Sequence, residues 1–351
     1  LTGPYGGPNM RHLRYSGLVA AAVVFAALQL VLAIGGAQRS PDAPAGRLPA
    51  RQIVVQNLKE VNYYPAAGGW TYMWSHFDPA AIDRDFARIR ALDANVVRII
   101  IQPSVFGFPV VHPLMASRLA DVIGLAAKHS LRVHLTLFDW WSRYTDIRGS
   151  KEWVSSLLSR YRYDPRIAVL ELQNEINPAD PQAMAWATRL LPYLSAIMPG
   201  TLRTVSIASV PPAEFALLTR ELQRSRPDFW DFHYYGPAVG AYSALSRIRA
   251  LAAPLPLFIG ETGLSTDGTP GSMAAAQQAQ AAYYQAVFGA AAALRLPAPA
   301  PWILNDFYPR AIPPGPGADR PAQYGYGLFQ LDGTPKPAAA VVRRAFARTT
   351  P

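Results

Sequence analysis

Residues 167–177 read IAVLELQNEIN. The apolar run from Ile167, β-branched at its start, has the character of a strand buried on both faces. It ends in Asn174 and Glu175, two polar side chains at the point where the strand must leave its sheet. Residues 255–263, LPLFIGETG, repeat the plan: an apolar strand, a single carboxylate at Glu261, then a turn-forming Gly263. Two separate strands therefore each deliver one glutamate at the C-terminal end. The rest of the chain reads as the scaffold that brings Glu175 and Glu261 together.

Around these two stretches short apolar runs alternate with longer amphipathic ones. Strands are expected at 58–64, 95–101, 131–138, 167–174, 203–208, 229–235, 255–261 and 302–305. Helices are expected at 79–92, 113–130, 151–163, 181–198, 212–223, 242–251, 272–294 and 337–347; Ile82, Phe86, Ile89 and Leu92 share one face of the first. Eight strand-then-helix units, mostly 25 to 40 residues apart, predict an α/β chain folded as a (β/α)8 TIM barrel. A doubly wound open sheet gives the same alternation, but it calls for a glycine-rich phosphate loop after an early strand, and neither G-x-G-x-x-G nor G-x-x-x-x-G-K-[ST] occurs.

The chain has 351 residues, half of them hydrophobic, which accommodates a barrel of ~250 residues. With no cysteine, disulfides and thiolate metal sites are excluded. The net charge of +10 comes from scattered arginines, with no basic run interleaved with aromatics, so nucleic acid is not an expected partner. Four segments are expected: an N-terminal flank at 1–17, an apolar segment at 18–34, a Pro/Ala/Gly/Arg-rich flexible linker at 35–51 and the barrel at 52–351. The apolar segment follows Arg11 and Arg14 and is read as either a transmembrane anchor or a signal-peptide core. Both readings place the barrel outside the cytoplasm, tethered to the cell membrane by a single pass or secreted.

In such a barrel the C-terminal ends of the strands form the site. Those ends supply Arg98, Asp139, Trp140, Trp141, Asn174, Glu175, His233, Tyr235, Glu261, Trp302, Asn305 and Asp306. Acids, one arginine, one histidine and several aromatics on one rim suit a sugar ring stacked on an aromatic face, with charged groups at the bond being cut. No H-x-x-x-H and no carboxylates at ligand spacing point to a metal, no G-x-S-x-G points to a serine nucleophile, and no cofactor is expected.

Six stretches in order then resemble the retaining glycoside hydrolases of clan A, above all glycoside hydrolase family 5. LELQNE (170–175) resembles the WEL-x-NE signature, and FIGETG (258–263) the nucleophile motif on the seventh strand. DFHYYG (231–236) is similar to the His-x-Tyr of the sixth strand, and PWILNDF (301–307) to the Trp motif of the eighth. LKEVNYYP (58–65) resembles the opening strand, and YGLFQLDGTPKPAA (326–339) the segment before the last helix.

The resemblance implies hydrolysis of a β-linked glycan, of β-mannan or β-glucan type, with a lean to mannanase-like members. Glu175 would be the general acid/base, its pKa raised by burial and by the second carboxylate. Glu261 would be the nucleophile, held ionised by Arg98 and the Tyr235 hydroxyl. Asn174 would bind the sugar 2-hydroxyl, His233 would hydrogen-bond near the acid/base or the sugar, and Trp302 would lie under the ring being cleaved. Asp139 is a candidate substrate contact, and Trp140 and Trp141 are read either as sugar platforms or as rim packing. Arg98 has a second possible partner in Glu171, itself read as structural, and His134 is read as a core histidine. The loop 309–321 would bound one end of a cleft. The partner would be an oligo- or polysaccharide, with the membrane met through the N-terminal segment. Two other uses of the same barrel stay open: transglycosylation of surface polysaccharide, and glycan binding without catalysis.

Overall fold

The computed structural model describes residues 54–268, 270–315, 318 and 320–348. The expected flank, apolar segment and linker lie outside them, and among the described residues no helix is long and apolar enough to cross a membrane.

The elements follow the expected alternation. In order they are β1 (Glu60–Asn62), α1 (Thr71–Ser75), α2 (Pro79–Ala91), β2 (Val96–Ile100), α3 (Pro103–Phe106), α4 (Pro113–Lys128) and β3 (Arg132–Phe138). Then come α5 (Ile147–Leu158), β4 (Ile167–Gln173), α6 (Pro181–Ile197), β5 (Leu202–Thr204), β6 (Ser206–Ile207) and α7 (Pro212–Glu221). The last are β7 (Trp230–Tyr234), α8 (Ala241–Ala252), β8 (Leu257–Thr262), α9 (Met273–Ala293) and α10 (Pro337–Arg348).

All strand pairs are parallel, in the orders β1-β2-β3-β4-β5 and β6-β7-β8. The chain passes directly from β5 to β6 through Val205, so the expected fifth strand is present in two pieces. Residues 300–304 fill the gap between β8 and β1. Thr262 N–H donates to the Ala300 carbonyl and Trp302 N–H to that of Thr262, while Asn62 N–H donates to Pro301 and Leu304 N–H to Asn62. The ring of eight is thereby closed. This eighth segment forms only single bridges, Thr262 with Pro301 and Asn305 with Phe329, rather than the continuous strand expected at 302–305. Pro301 has no N–H to give to a ladder, and the peptide between Trp302 and Ile303 is cis.

Local chemistry sets the helix starts. Asp78 accepts from Ala80 and Ala81 N–H ahead of Pro79, and Asp180 caps α6 ahead of Pro181 in the same way. Ile82, Phe86 and Ile89 of α2 are fully buried against the sheet. β3 and β4 are buried along their whole lengths, as expected of strands roofed by helices outside and filled from within.

The filling is polar at its centre. Glu60, Asn62, Arg98, His134, Thr136, Glu171, Asp231 and His233 are all 0% exposed. Glu60 bonds His134 Nδ1 at 2.8 Å, and Arg98 forks onto both oxygens of Glu171 at 2.8 and 3.0 Å. His134 is thus a core histidine, and Glu171 a structural partner of Arg98, as the sequence suggested.

Candidate active site

The closed ring turns the C-terminal ends of β2, β3, β4, β7 and β8 to one mouth. A cavity of about 700 Å³ opens there, lined by Asp139, Trp140, Asn174, Glu175, Tyr235, Glu261 and Trp302. Arg98 and His233 lie beneath it, fully buried. Ten of the twelve strand-end residues expected at the site are gathered at this cavity, Trp141 among them; Asn305 instead donates to Asp85 and Asp306 accepts from Lys336, away from it.

Glu261 ends β8 at 5% exposure. Its Oε1 accepts from Arg98 Nη1 at 2.5 Å and its Oε2 from the Tyr235 hydroxyl at 2.9 Å. Arg98 thus serves Glu171 and Glu261 together. Its Nη2 also donates to Asn174 Oδ1 at 2.9 Å, and the Asn174 amide donates to Asp139 Oδ1 at 3.1 Å. One guanidinium, with five donors in a fixed fork, fixes three strands' contributions relative to one another.

Glu175 follows β4 with a left-handed backbone, φ +47°. For a glutamate this conformation persists only where its surroundings impose it. Here the Glu175 N–H donates to Ser206 Oγ at 2.8 Å and the Asn174 N–H to the Phe138 carbonyl. The turn swings the carboxylate back over the mouth, where Oε1 lies 2.8 Å from His233 Nδ1. The same ring nitrogen is 3.4 Å from Glu261 Oε2. One oxygen of each glutamate and a His233 nitrogen all lie within 4.8 Å of one another.

The electrostatics reverse one expectation. Burial raises Glu175, but the hydrogen bond and positive charge of His233, with Arg98 behind, outweigh it and hold the carboxyl below its ordinary value. Burial raises Glu261 against the pull of His233 and Arg98. His233 is itself pushed up to about 9: burial opposes its charge, but Glu261 and Glu175 more than compensate. Glu175 is thus held below its ordinary value where the sequence expected it raised, and His233 carries positive charge beside it. The expectation put His233 near the acid/base but did not weigh the charge it brings at 2.8 Å. For groups coupled this closely the proton belongs to the set.

The aromatic frame is only partly as expected. Trp302 borders the cavity and is held by its indole N–H on Gln323 Oε1 at 3.1 Å. Its ring lies 5.8 Å from Trp70 and 6.2 Å, edge-on, from Tyr64. Trp141 is 9% exposed and packs on Phe108 and Phe138, so it is chiefly rim packing. Trp140 is half-buried with φ +53°. Gly315 presses on its ring so closely that a Cβ there would lie 2.3 Å from it. Gly315, after the eighth strand, therefore packs on the end of the third, and Ala318 and Arg320 of the same segment border the cavity. Asp139 is 3% exposed, accepts from Gln102 Nε2 at 3.0 Å, and is pushed up to about 6 by burial.

Several contributors were not identified in the sequence: Asn62, Gln102, Trp70, Gln323, Tyr326 and Asp231. Asn62 and Asp231 were within reach, since each stands in a stretch quoted above. Asp231 is two residues before His233 and so shares its inward face. Tyr326 likewise opens the quoted stretch 326–339, whereas Gln323 comes from the loop before it, where no periodicity marks it.

No protein-family model matches the chain, and no curated protein matches it. Solved structures do. A GH5_18 variant from Streptomyces cattleya, in complex with Manb1-4GlcNAc, is 21% identical over 83% of this chain and 81% of that one, with a TM-score of 0.66. A GH5_18 from Bifidobacterium longum subsp. longum is 17% identical over 83% and 79%, with a TM-score of 0.68. An exo-beta-1,4-mannosidase from Opitutaceae bacterium strain TAV5 is 19% identical over 83% of this chain and 59% of that one, with a TM-score of 0.65. At these identities the likeness is one of architecture, and the chain carries the barrel fold of the GH5 glycoside hydrolases.

Proposed function

We propose that the protein is a retaining β-glycosidase that removes a terminal sugar, of mannose type, from a β-linked oligosaccharide. The observation that carries this reading is the approach of the two carboxylates, with one oxygen of each within 4.8 Å across the cavity floor. Retaining enzymes need their carboxyl groups about 5–5.5 Å apart, whereas an inverting pair must leave room for a water at about 6.5–9.5 Å.

In the first step Glu261 attacks the anomeric carbon as the glycosidic C–O bond breaks, and Glu175 delivers a proton to the departing oxygen. That proton comes from His233 Nδ1 across the 2.8 Å hydrogen bond, so His233 ends neutral and Glu175 ends as carboxylate. In the second step Glu175 takes a proton from water and passes it back to His233 Nδ1, the hydroxide attacks the anomeric carbon, and Glu261 leaves. Arg98 and Tyr235, each bonded to Glu261, steady the carboxylate at both ends of the cycle. Asn174, fixed by Arg98 and Asp139, is placed for the sugar 2-hydroxyl, and Trp302 for the ring face. Asp139 and Trp140 meet the hydroxyls at the closed end of the cavity. That closure, Gly315 against Trp140, favours terminal over internal cleavage. The mannose lean draws on the neighbours named above, one bound to Manb1-4GlcNAc and one an exo-mannosidase.

The test is covalent trapping with 2-deoxy-2-fluoro glycosides of mannose, glucose and galactose, read by peptide mass. A sugar-sized mass gain is expected on the peptide containing Glu261, with the mannoside and not in Glu261→Ala. Folded protein that binds β-mannosides yet neither traps nor turns over any β-glycoside would overturn the reading in favour of a binding barrel.

A further inference from the structure

β7 and β8 do not stay in step. Asp231 pairs with Phe258, but two residues later His233 pairs with Glu261, so β8 carries one extra residue between them. An inserted residue of this kind bends a strand and re-aims the side chain that follows. Here the side chain that follows is Glu261.

Gly260, at the irregularity, is held at both of its backbone polar groups. The Gly260 N–H donates to Asp231 Oδ1 at 2.9 Å, and the Gly260 carbonyl accepts from the Asn62 amide at 2.8 Å. Asn62 Oδ1 in turn accepts from Arg98 Nη1 at 2.9 Å, the nitrogen that also holds Glu261. The grip is close enough to demand glycine: a Cβ on Gly260 would lie 2.1 Å from Asp231 Oδ1. Asp231 and Asn62 are both fully buried. Asp231 Oδ2 has no hydrogen-bond partner among the described residues. A carboxylate kept in the barrel interior with half its capacity unused is costly unless its other half does something.

We propose that Asp231 is a positioning residue for the nucleophile, holding the Gly260 peptide so that Glu261 meets Arg98, Tyr235 and the anomeric carbon together. The proposal rests on the glycosidase reading above. Asp231 touches no part of the cavity and acts only through the backbone of its neighbouring strand. Asn62 holds the next peptide, at the Gly260 carbonyl, so both peptides flanking Gly260 are fixed.

The experiment compares Asp231→Ala with Asp231→Asn by steady-state kinetics and by the rate of trapping with the fluoro-glycoside, after wild-type turnover has been established. The asparagine keeps an oxygen for Gly260 N–H, and its kcat is expected within about fivefold of wild type. The alanine releases the peptide. A shift of Glu261 by about 1 Å is expected to lower kcat and the trapping rate about 100-fold with KM nearly unchanged. If the alanine variant does not fold, Asp231→Ser, which is too short to reach Gly260 N–H, is expected to show the same split. Either folded variant with wild-type kcat and only a lower melting temperature would overturn the proposal and leave the glycosidase intact. A wild type with no turnover at all would overturn the glycosidase reading, and this proposal with it.

Discussion

His233 Nδ1 stands 2.8 Å from Glu175 and 3.4 Å from Glu261, with no solvent access of its own. Two facing carboxylates with no cation between them would force one to stay protonated. The imidazole relieves this by taking the proton itself. Its pKa, pushed up to about 9, then sets how long the site keeps that proton as pH rises. The kcat/KM of the free enzyme is expected to fall on the alkaline side with an apparent pKa near 9, a property of the histidine–carboxylate set. In His233→Gln the limb should move to lower pH, because Glu175 must then hold its own proton. Stability follows the same group. The folded pKa lies above the ordinary 6.5, so the contribution is complete below about 6.5 and is lost as pH rises to about 9. Urea midpoints taken between those pH values should decline in wild type and flatten in His233→Gln. An unmoved alkaline limb in the variant would assign the site proton elsewhere.

At the scale of elements, the stretches around Glu175 and Glu261 were legible because an apolar strand ending in a lone acid is a local pattern. β4 and β8 lie within a residue or two of where their periodicity put them. What was not legible depends on contacts far apart in the chain. The eighth segment lost its ladder to Pro301, the fifth strand divided at Val205, and the Gly260 irregularity exists only once β7 is beside β8. The direction of the Glu175 shift was missed although His233, 58 residues away, was expected nearby, because the 2.8 Å approach and the charge it brings exist only in the fold. The start of α10 is another such contact. Lys336, just before it and 2% exposed, donates to Asp306 Oδ1 at 2.7 Å, Thr266 Oγ1 at 3.1 Å and the Gly325 carbonyl at 3.2 Å. Gly325 ends the short turn Pro321–Gly325 that carries Gln323, the partner of Trp302. Lys336→Met leaves Asp306 as an unpaired, largely buried charge and should cost about 3–5 kcal/mol in urea unfolding. The double variant with Asp306→Asn should recover part of that loss, and a strictly additive pair would show that the two groups do not interact.

On the proposed glycosidase reading the whole molecule would set the length of glycan accepted, because the cavity walls come from segments early and late in the chain. Trp70 follows the first strand, Trp140 the third, Asn177 the fourth, and Arg320, Gln323 and Tyr326 the eighth. These can line one cavity only because residues 300–304 bond to both β8 and β1, which brings the end of the chain's ring back to its start. A groove open at both ends would let a polymer lie across the two glutamates and be cut anywhere. Here Gly315 rests on Trp140 and the buried Ala318 borders the cavity, and the proposed terminal cleavage takes this contact as the wall at one end. A β-1,4-linked mannopentaose labelled at its reducing end should therefore shorten by one sugar at a time, with the labelled tetramer the first product to accumulate. Trp140→Ala removes the surface on which the loop rests and should admit longer glycone ends, so that labelled dimer and trimer form early alongside the tetramer. Early fragments of mixed length from the wild type would mean that the wall yields to a polymer.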